Sequence, residues 1–398
     1  MNRILKISAI LVFSTFCVSH VSAITVSDKA NKLAQENIII DSHIDVPYRL
    51  EEKWVDVTKA TKGGDFDYPR AKQGGLNAPF MSIYIPASLD NSANSTKLAD
   101  KLIDYVEAIV GRAPNKFAIA SSTADVEQQF AQGLISLPLG MENGSPIQGD
   151  LANLQHFYDR GIRYITLAHS QANHISDSSY DLRRKWKGLS PFGKELVQEM
   201  NKLGVLIDIS HVSDAAFYQT IELSKTPVIA SHSSLRAFTP GFERNMDDAM
   251  IKALGKNGGV IQINFGSTFV TKRANAWSKK RNAEQKTVEE KFGKDSEQYK
   301  NFRDEFSAKN PLPYATLDSV LDHIDHVVKL IGIDHVGIGS DYDGVGDSLP
   351  TDLKDVSTYP NLIQGLLNRG YSDKNIIKIL SGNFMRVWKA NEEYAAKH

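Results

Sequence analysis

Short apolar, β-branched runs separated by stretches of helical periodicity constrain the fold of this chain more than any other feature. The runs are residues 38–40, 80–85, 134–139, 163–167, 205–209, 228–230, 260–263 and 336–338. Most are continuously apolar, not alternating, as expected of parallel strands covered by helices on their outer face. Between them lie amphipathic stretches such as 192–203, 214–223 and 317–330. The first of these follows Ser190-Pro191 and stops before Gly204, a good start and a good stop for a helix. Eight alternating units fit a (β/α)8 TIM-type barrel, but periodicity alone fits an open, doubly wound α/β sheet almost as well. The polar residues at the ends of the runs decide for the barrel.

In such a barrel, residues just past the C-terminal end of each strand converge on one face. The first run leads into Asp41-Ser42-His43-Ile44-Asp45, where His43 and Asp45 point the same way in an extended chain and can bind one metal ion. The third run leads to Glu142, the fourth to His169, the fifth to Asp208 and His211, and the sixth to His232. The seventh leads to Asn264 and the eighth to Asp341 and Asp343. A lone histidine at such a place is more often a satisfied core group than a ligand, and 11 histidines offer many accidental placements. Four strand ends with His and two more with Glu or Asp make a pattern that scattered core histidines do not select. His156, His323, His326 and His335 fall in or beside helical stretches and are read as structural.

Imidazole and carboxylate without thiolate suit zinc in an open, catalytic site. Three histidines with two or three carboxylates exceed what one four-coordinate ion needs. They fit two ions sharing a carboxylate, whose bridging hydroxide is a nucleophile at neutral pH. Hydrolysis of a carbonyl or phosphoryl bond follows from that set.

Residues 1–23 carry Arg3 and Lys6, an apolar run over 4–18 and a small-x-small ending at Val21-Ser22-Ala23. This pattern predicts a signal peptide cleaved after Ala23, leaving residues 24–398 as one metal-dependent hydrolase barrel domain without a membrane anchor. The expected location is outside the cytoplasm, periplasmic or secreted. Cleavage would remove Cys17, the only cysteine, so stability must come from an apolar core and not from disulfides. With 46 Lys and Arg against 47 Asp and Glu, the chain has no basic footprint for nucleic acid. Residues 268–310, dense in charge and placed after the seventh run, predict a helical insertion on the catalytic rim.

Taken together, these residues resemble the membrane (renal-type) dipeptidases, a branch of the amidohydrolase-like metal barrels. The matching pieces are 40–45 (IDSHID), 74–82 (GGLNAPFMS), 140–144 (GMENG), 163–169 (RYITLAH), 188–193 (GLSPFG) and 208–211 (DISH). Residues 231–234 (SHSS), Arg244-Asn245 and 337–344 (GIGSDYDG) complete the set. The resemblance implies two zinc ions per chain: His43 and Asp45 on one, His211 and His232 on the other, with Glu142 bridging. It implies that His169 steadies the oxyanion, that Arg244 grips the substrate's terminal carboxylate, and that Asp341 shuttles a proton to the leaving nitrogen. The implied activity is hydrolysis of dipeptides, including those with a C-terminal D-residue, and the resemblance allows a homodimer. N-acyl-amino acid deacylase or lactonase chemistry on the same barrel is the alternative. Relatives usually have Gly and Asn where Ser42 and Ile44 stand, and a different loop at Ser170-Gln171-Ala172-Asn173-His174, the stretch expected to shape the pocket for substrate side chains.

Overall fold

Each apolar run contributes to a short parallel strand in a computed structural model that describes residues 24–398. The expected leader, with Cys17, lies outside the described residues. The strands of the main sheet are β1 (Ile40–Ile44), β2 (Ala78–Tyr84), β3 (Leu139–Glu142) and β4 (Ile162–Thr166). They continue as β5 (Leu206–Asp208), β6 (Ile229–Ser233), β7 (Val260–Ile263) and β8 (Val336–Ile338). Each pairs in parallel with the next. The ring closes where Ile44 bridges Tyr342, with Asp45 N donating to Tyr342 O at 2.9 Å and Asp341 N to His43 O at 3.1 Å. The fold is the (β/α)8 barrel.

Strand boundaries depart from the apolar runs where polar residues continue the strand. β1 starts at Ile40 and carries Asp41, Ser42 and His43, while β6 extends through His232 to Ser233. Inside the barrel these polar side chains find partners, so polarity does not end the strand. Ser42, for example, donates to the carbonyls of Ser231 at 2.5 Å and Ile338 at 3.1 Å. The third run divides at Pro138, which has no N–H for a ladder. Ile135–Leu137 pairs with Phe117–Ile119 in a separate small sheet, and the barrel strand begins only at Leu139.

The inner, N-terminal end of the barrel is filled by a buried layer of Ile40, Ala78, Phe80, Tyr164, Leu206, Ile229 and Val260. Helix Asn383–Ala395 closes this end, seating Phe384 and Trp388 against Phe80 at ring separations of 5.0 and 5.2 Å. The opposite end is left to polar residues. Residues after β7 form the helices Lys272–Phe292 and Glu297–Lys309, pinned together where Trp277 meets Phe306 at 5.5 Å. Among the described residues no helix is long and apolar enough to cross a membrane.

Candidate active site

The C-terminal strand ends bring His43, Asp45, Glu142, His169, His211, His232 and Asp341 to the floor of one cavity of about 1020 Å³; all but His43 line it, and His43 lies buried beneath them. Three sets of potential ligand atoms each fit within 4.8 Å: His43, Glu142 and His232; Glu142, His169 and His211; His43, Asp45 and Asp341. Glu142, the last residue of β3, joins the first two sets. Its Oε2 faces His43 Nε2 at 3.3 Å, and its Oε1 faces the Nε2 atoms of His211 at 3.1 Å, His232 at 3.2 Å and His169 at 3.5 Å. His43 Nε2 also lies 3.4 Å from Asp45 Oδ2. One carboxylate thus presents one oxygen to His43 and the other to three imidazoles.

The far sides of two imidazoles are anchored. His43 Nδ1 meets the Tyr164 hydroxyl at 2.8 Å. His232 Nδ1 meets Ser231 Oγ at 2.8 Å, and that hydroxyl donates to Asp208 Oδ2 at 2.6 Å. Asp208 also accepts from the backbone N–H groups of Ser210 at 3.0 Å and Ser231 at 2.8 Å. Such partners fix ring orientation and tautomer. The order of strand ends does not reveal these roles of Tyr164 and Ser231; the usable signals are that Tyr164 shares the inward parity of its strand and that Ser231 directly precedes a histidine.

Among the protein groups alone, electrostatics favour charge separation. Burial drives His211 and His232 well below the usual imidazole range, with Arg244 adding to the effect at His211 and His43 at His232. Burial opposes ionisation of Glu142, yet His43 and His169 outweigh it and hold the carboxyl well below its ordinary range. Burial likewise opposes protonation of His43, but Tyr164, Glu142 and Asp45 raise it overall. Burial and then Asp45 push Asp341 well above the carboxylate range. Asn264 Nδ2 donates to Asp341 Oδ2 at 2.7 Å and so orients it.

His211 and Asp341 adopt φ of 66° and 64°, in the left-handed region that costs a non-glycine residue energy. Both are held there: His211 O accepts from Ser179 N at 2.7 Å, and Asp341 O accepts from Gly344 N at 3.0 Å. Arg244 is buried behind His211 and His232 and is not among the residues that line the cavity; it donates to Ser233 Oγ at 2.7 Å and His232 O at 2.6 Å, with Nη2 3.0 Å from His211 Nε2. Its neighbour Glu243 points elsewhere, pairing with Arg184. His156, His326 and His335 bond Asp100, Asp248 and Gly259, and His323 bonds Val270; none lines the cavity. Trp277, Arg281, Arg303 and Ser307, from the helices after β7, form its outer wall.

The donor set fits a metal centre. Among the described residues the buried His43 Nε2 has no hydrogen-bond partner, and His211 Nε2 and His232 Nε2 stand 2.7 Å apart, an approach that a shared cation would stabilise.

Comparison with known proteins agrees. The family model described as membrane dipeptidase (peptidase family M19) matches residues 27–398. A protein of Schizosaccharomyces pombe described as an uncharacterized dipeptidase is 30% identical over 372 residues, covering 89% of this chain and 81% of that protein. Dipeptidase 3 of Mus musculus is 30% identical over 380 residues, covering 93% of this chain and 68% of that protein. The probable dipeptidase PvdM from Pseudomonas aeruginosa superposes with a TM-score of 0.78 at 27% identity, over 92% of this chain and 98% of that one. A Rhodobacter sphaeroides metallopeptidase, solved with a phosphinate mimic of the dipeptide L-Ala-D-Ala, shares the fold at a TM-score of 0.73 and 24% identity, over 89% and 99% of the two chains.

Proposed function

The chain belongs to the membrane dipeptidase family, peptidase family M19, a family of metal-dependent hydrolases, and from that footing we propose that it cleaves dipeptides with a pair of zinc ions. The observation that carries the reading is Glu142, whose two oxygens face His43 on one side and His211 with His232 on the other. His43 and Asp45 would hold one ion and His211 and His232 the second, with Glu142 common to both. Bound there, the ions would supply Lewis acidity and an activated water at neutral pH.

The chain's own residues do the rest. Arg244 takes the terminal carboxylate of the dipeptide and sets the scissile carbonyl over the floor. His169, on the open side of Glu142, donates from Nε2 to the carbonyl oxygen as charge develops on it, a type of contact worth roughly 3–4 kcal/mol. Asp341 Oδ1, free of the Asn264 bond, takes a proton from the attacking water and returns it to the departing amine. The 1020 Å³ cavity is far larger than a dipeptide, which supports acceptance of a D-residue at the C-terminal position.

A rate panel tests this. L-Ala-L-Ala and L-Ala-D-Ala should be cut, N-acetyl-L-Ala-L-Ala should not, and a chelator should abolish turnover until zinc is restored. Faster cleavage of the blocked compound would replace the dipeptidase reading with deacylase chemistry. The reading also has the chain act outside the cytoplasm. Secreted material whose N-terminus is Ile24 would support that, and material retaining residues 1–23 would count against it.

A further inference from the structure

Two arginines on the outer wall of the cavity have no acid to meet. Arg281, on helix Lys272–Phe292, and Arg303, on helix Glu297–Lys309, line the same cavity as His169, His211 and Asp341. Lysines of the same segment find acids: Lys280 meets Glu284 at 3.9 Å, Lys286 meets Glu290 at 3.8 Å and Lys294 meets Glu289 at 3.4 Å. Positions three and four residues from Arg303, where a helix sets its pairs, hold Tyr299, Lys300, Phe306 and Ser307. The acid spaced for Arg281 is Glu284, which sits with Lys280 instead. Asp304 lines the cavity too, yet among the described residues neither arginine forms an ion pair with it or with any other acid.

Arg281 is half-buried on a fixed platform. Its guanidinium lies over the Trp277 ring at 5.1 Å, and Trp277 Nε1 donates to Asn310 O at 2.7 Å. Among the described residues its side chain bonds to the adjacent Asn282 Oδ1 alone, at 3.3 and 3.1 Å. Burial and then the like charge of Arg303 lower Arg281 from the usual guanidinium range, and no acid counters them. Two cations kept together against their repulsion, with part of their hydration removed, are arranged to gain from an anion.

We propose that Arg281 and Arg303 receive a carboxylate carried on a side chain of the substrate, so that dipeptides with a glutamyl residue are preferred. This rests on the dipeptidase reading given above. The floor of the cavity serves the scissile peptide, which every dipeptide has. A dipeptide fills only part of the 1020 Å³, so a side chain that leaves the floor has room to extend toward the outer wall. Guanidinium groups suit a planar carboxylate there better than an amide, which brings a donor of its own.

The test compares kcat/KM of the zinc-loaded chain for L-Ala-L-Glu against L-Ala-L-Gln, and for L-Glu-L-Ala against L-Gln-L-Ala. Each pair sets a carboxylate against an amide of the same shape. In the position whose side chain reaches the wall, the acid should be preferred about tenfold, the size expected for a hydrogen bond between charged groups. Arg281→Gln and Arg303→Gln should each reduce that preference about threefold, and the double variant should abolish it. Lys286→Gln, on the same helix but outside the cavity lining, should keep it. Added salt should narrow it. Equal rates for acid and amide in both pairs, or a preference that survives the double variant, would overturn the proposal. So would variants that slow acid and amide alike, since the arginines would then serve the terminal carboxylate common to all dipeptides. A wild type that cut no dipeptide would instead strike the dipeptidase reading, and calorimetric titration with the same two pairs would still decide whether the arginines select the acid.

Discussion

Two carboxylates lie where the side chain of residue 344 would stand. A Cβ built on Gly344 would lie 2.2 Å from Asp341 Oδ1 and 2.2 Å from Asp45 Oδ2, far inside contact distance. Neither carboxylate is free to retreat, since Asn264 holds Asp341 and His43 crowds Asp45. Gly344→Ala should therefore displace both, lower kcat/KM on the order of a hundredfold and reduce bound metal, with the circular dichroism spectrum unchanged. Full activity in that variant would show that the two acids do not work from the positions seen. A milder effect is expected one bond further out. Ser231 passes the charge of Asp208 to His232 Nδ1, so Ser231→Ala should weaken zinc binding about 10- to 100-fold in chelator competition. An affinity equal to the wild type would mean that His232 is oriented by its backbone alone.

The elements that carry the site are short, and what could be read of them followed from their chemistry. An apolar run marks a strand because both of its faces are covered, so all eight barrel strands showed themselves. Their ends did not, because Asp41, Ser42, His43 and His232 continue the strand into a polar interior that only the closed ring creates. Pro138 could have warned that the third run divides. Meeting of the site residues was legible from the order of strand ends; the place of Tyr180 in the cavity lining was not, since a long irregular loop has no period. Helix Leu317–Ile331 offers a test at this scale. His323 on it accepts from Leu235 N at Nδ1 (3.1 Å) and donates from Nε2 to Val270 O (3.0 Å), a pairing only the neutral ring can make. Burial lowers it from the ordinary 6.5 to about 4. The unfolded chain then binds a proton that the folded chain refuses between those values. The stabilisation is whole above pH 6.5 and is lost as pH falls toward 4, by about 3 kcal/mol in all. Urea midpoints across that window should fall more steeply for the wild type than for His323→Gln. Parallel pH profiles would place the acid sensitivity elsewhere.

The whole molecule divides its labour between the two ends of the barrel. At one end strand termini meet in charge; at the other, strand beginnings meet in hydrocarbon and are stoppered by Trp388 and Phe384. Tyr164 stands where the halves touch, its ring 5.4 Å from Phe80 and its hydroxyl on His43. Catalytic geometry is therefore built on a floor whose rigidity comes from packing. Removing the stopper separates the two contributions. Trp388→Ala deletes a fully buried indole, and losses of this kind cost about 3–5 kcal/mol because the walls cannot collapse into the space. Trp388→Phe should cost less, since it keeps a ring and discards an N–H that has no acceptor among the described residues. Trp388 touches Phe80 and not the metal-site residues, so its effect should add to that of the metal instead of depending on it. Urea unfolding of each variant with zinc and with chelator should give the same decrement in both conditions. A decrement that vanishes on chelation would mean that the stopper acts through the metal site, and the two ends would then be one cooperative device.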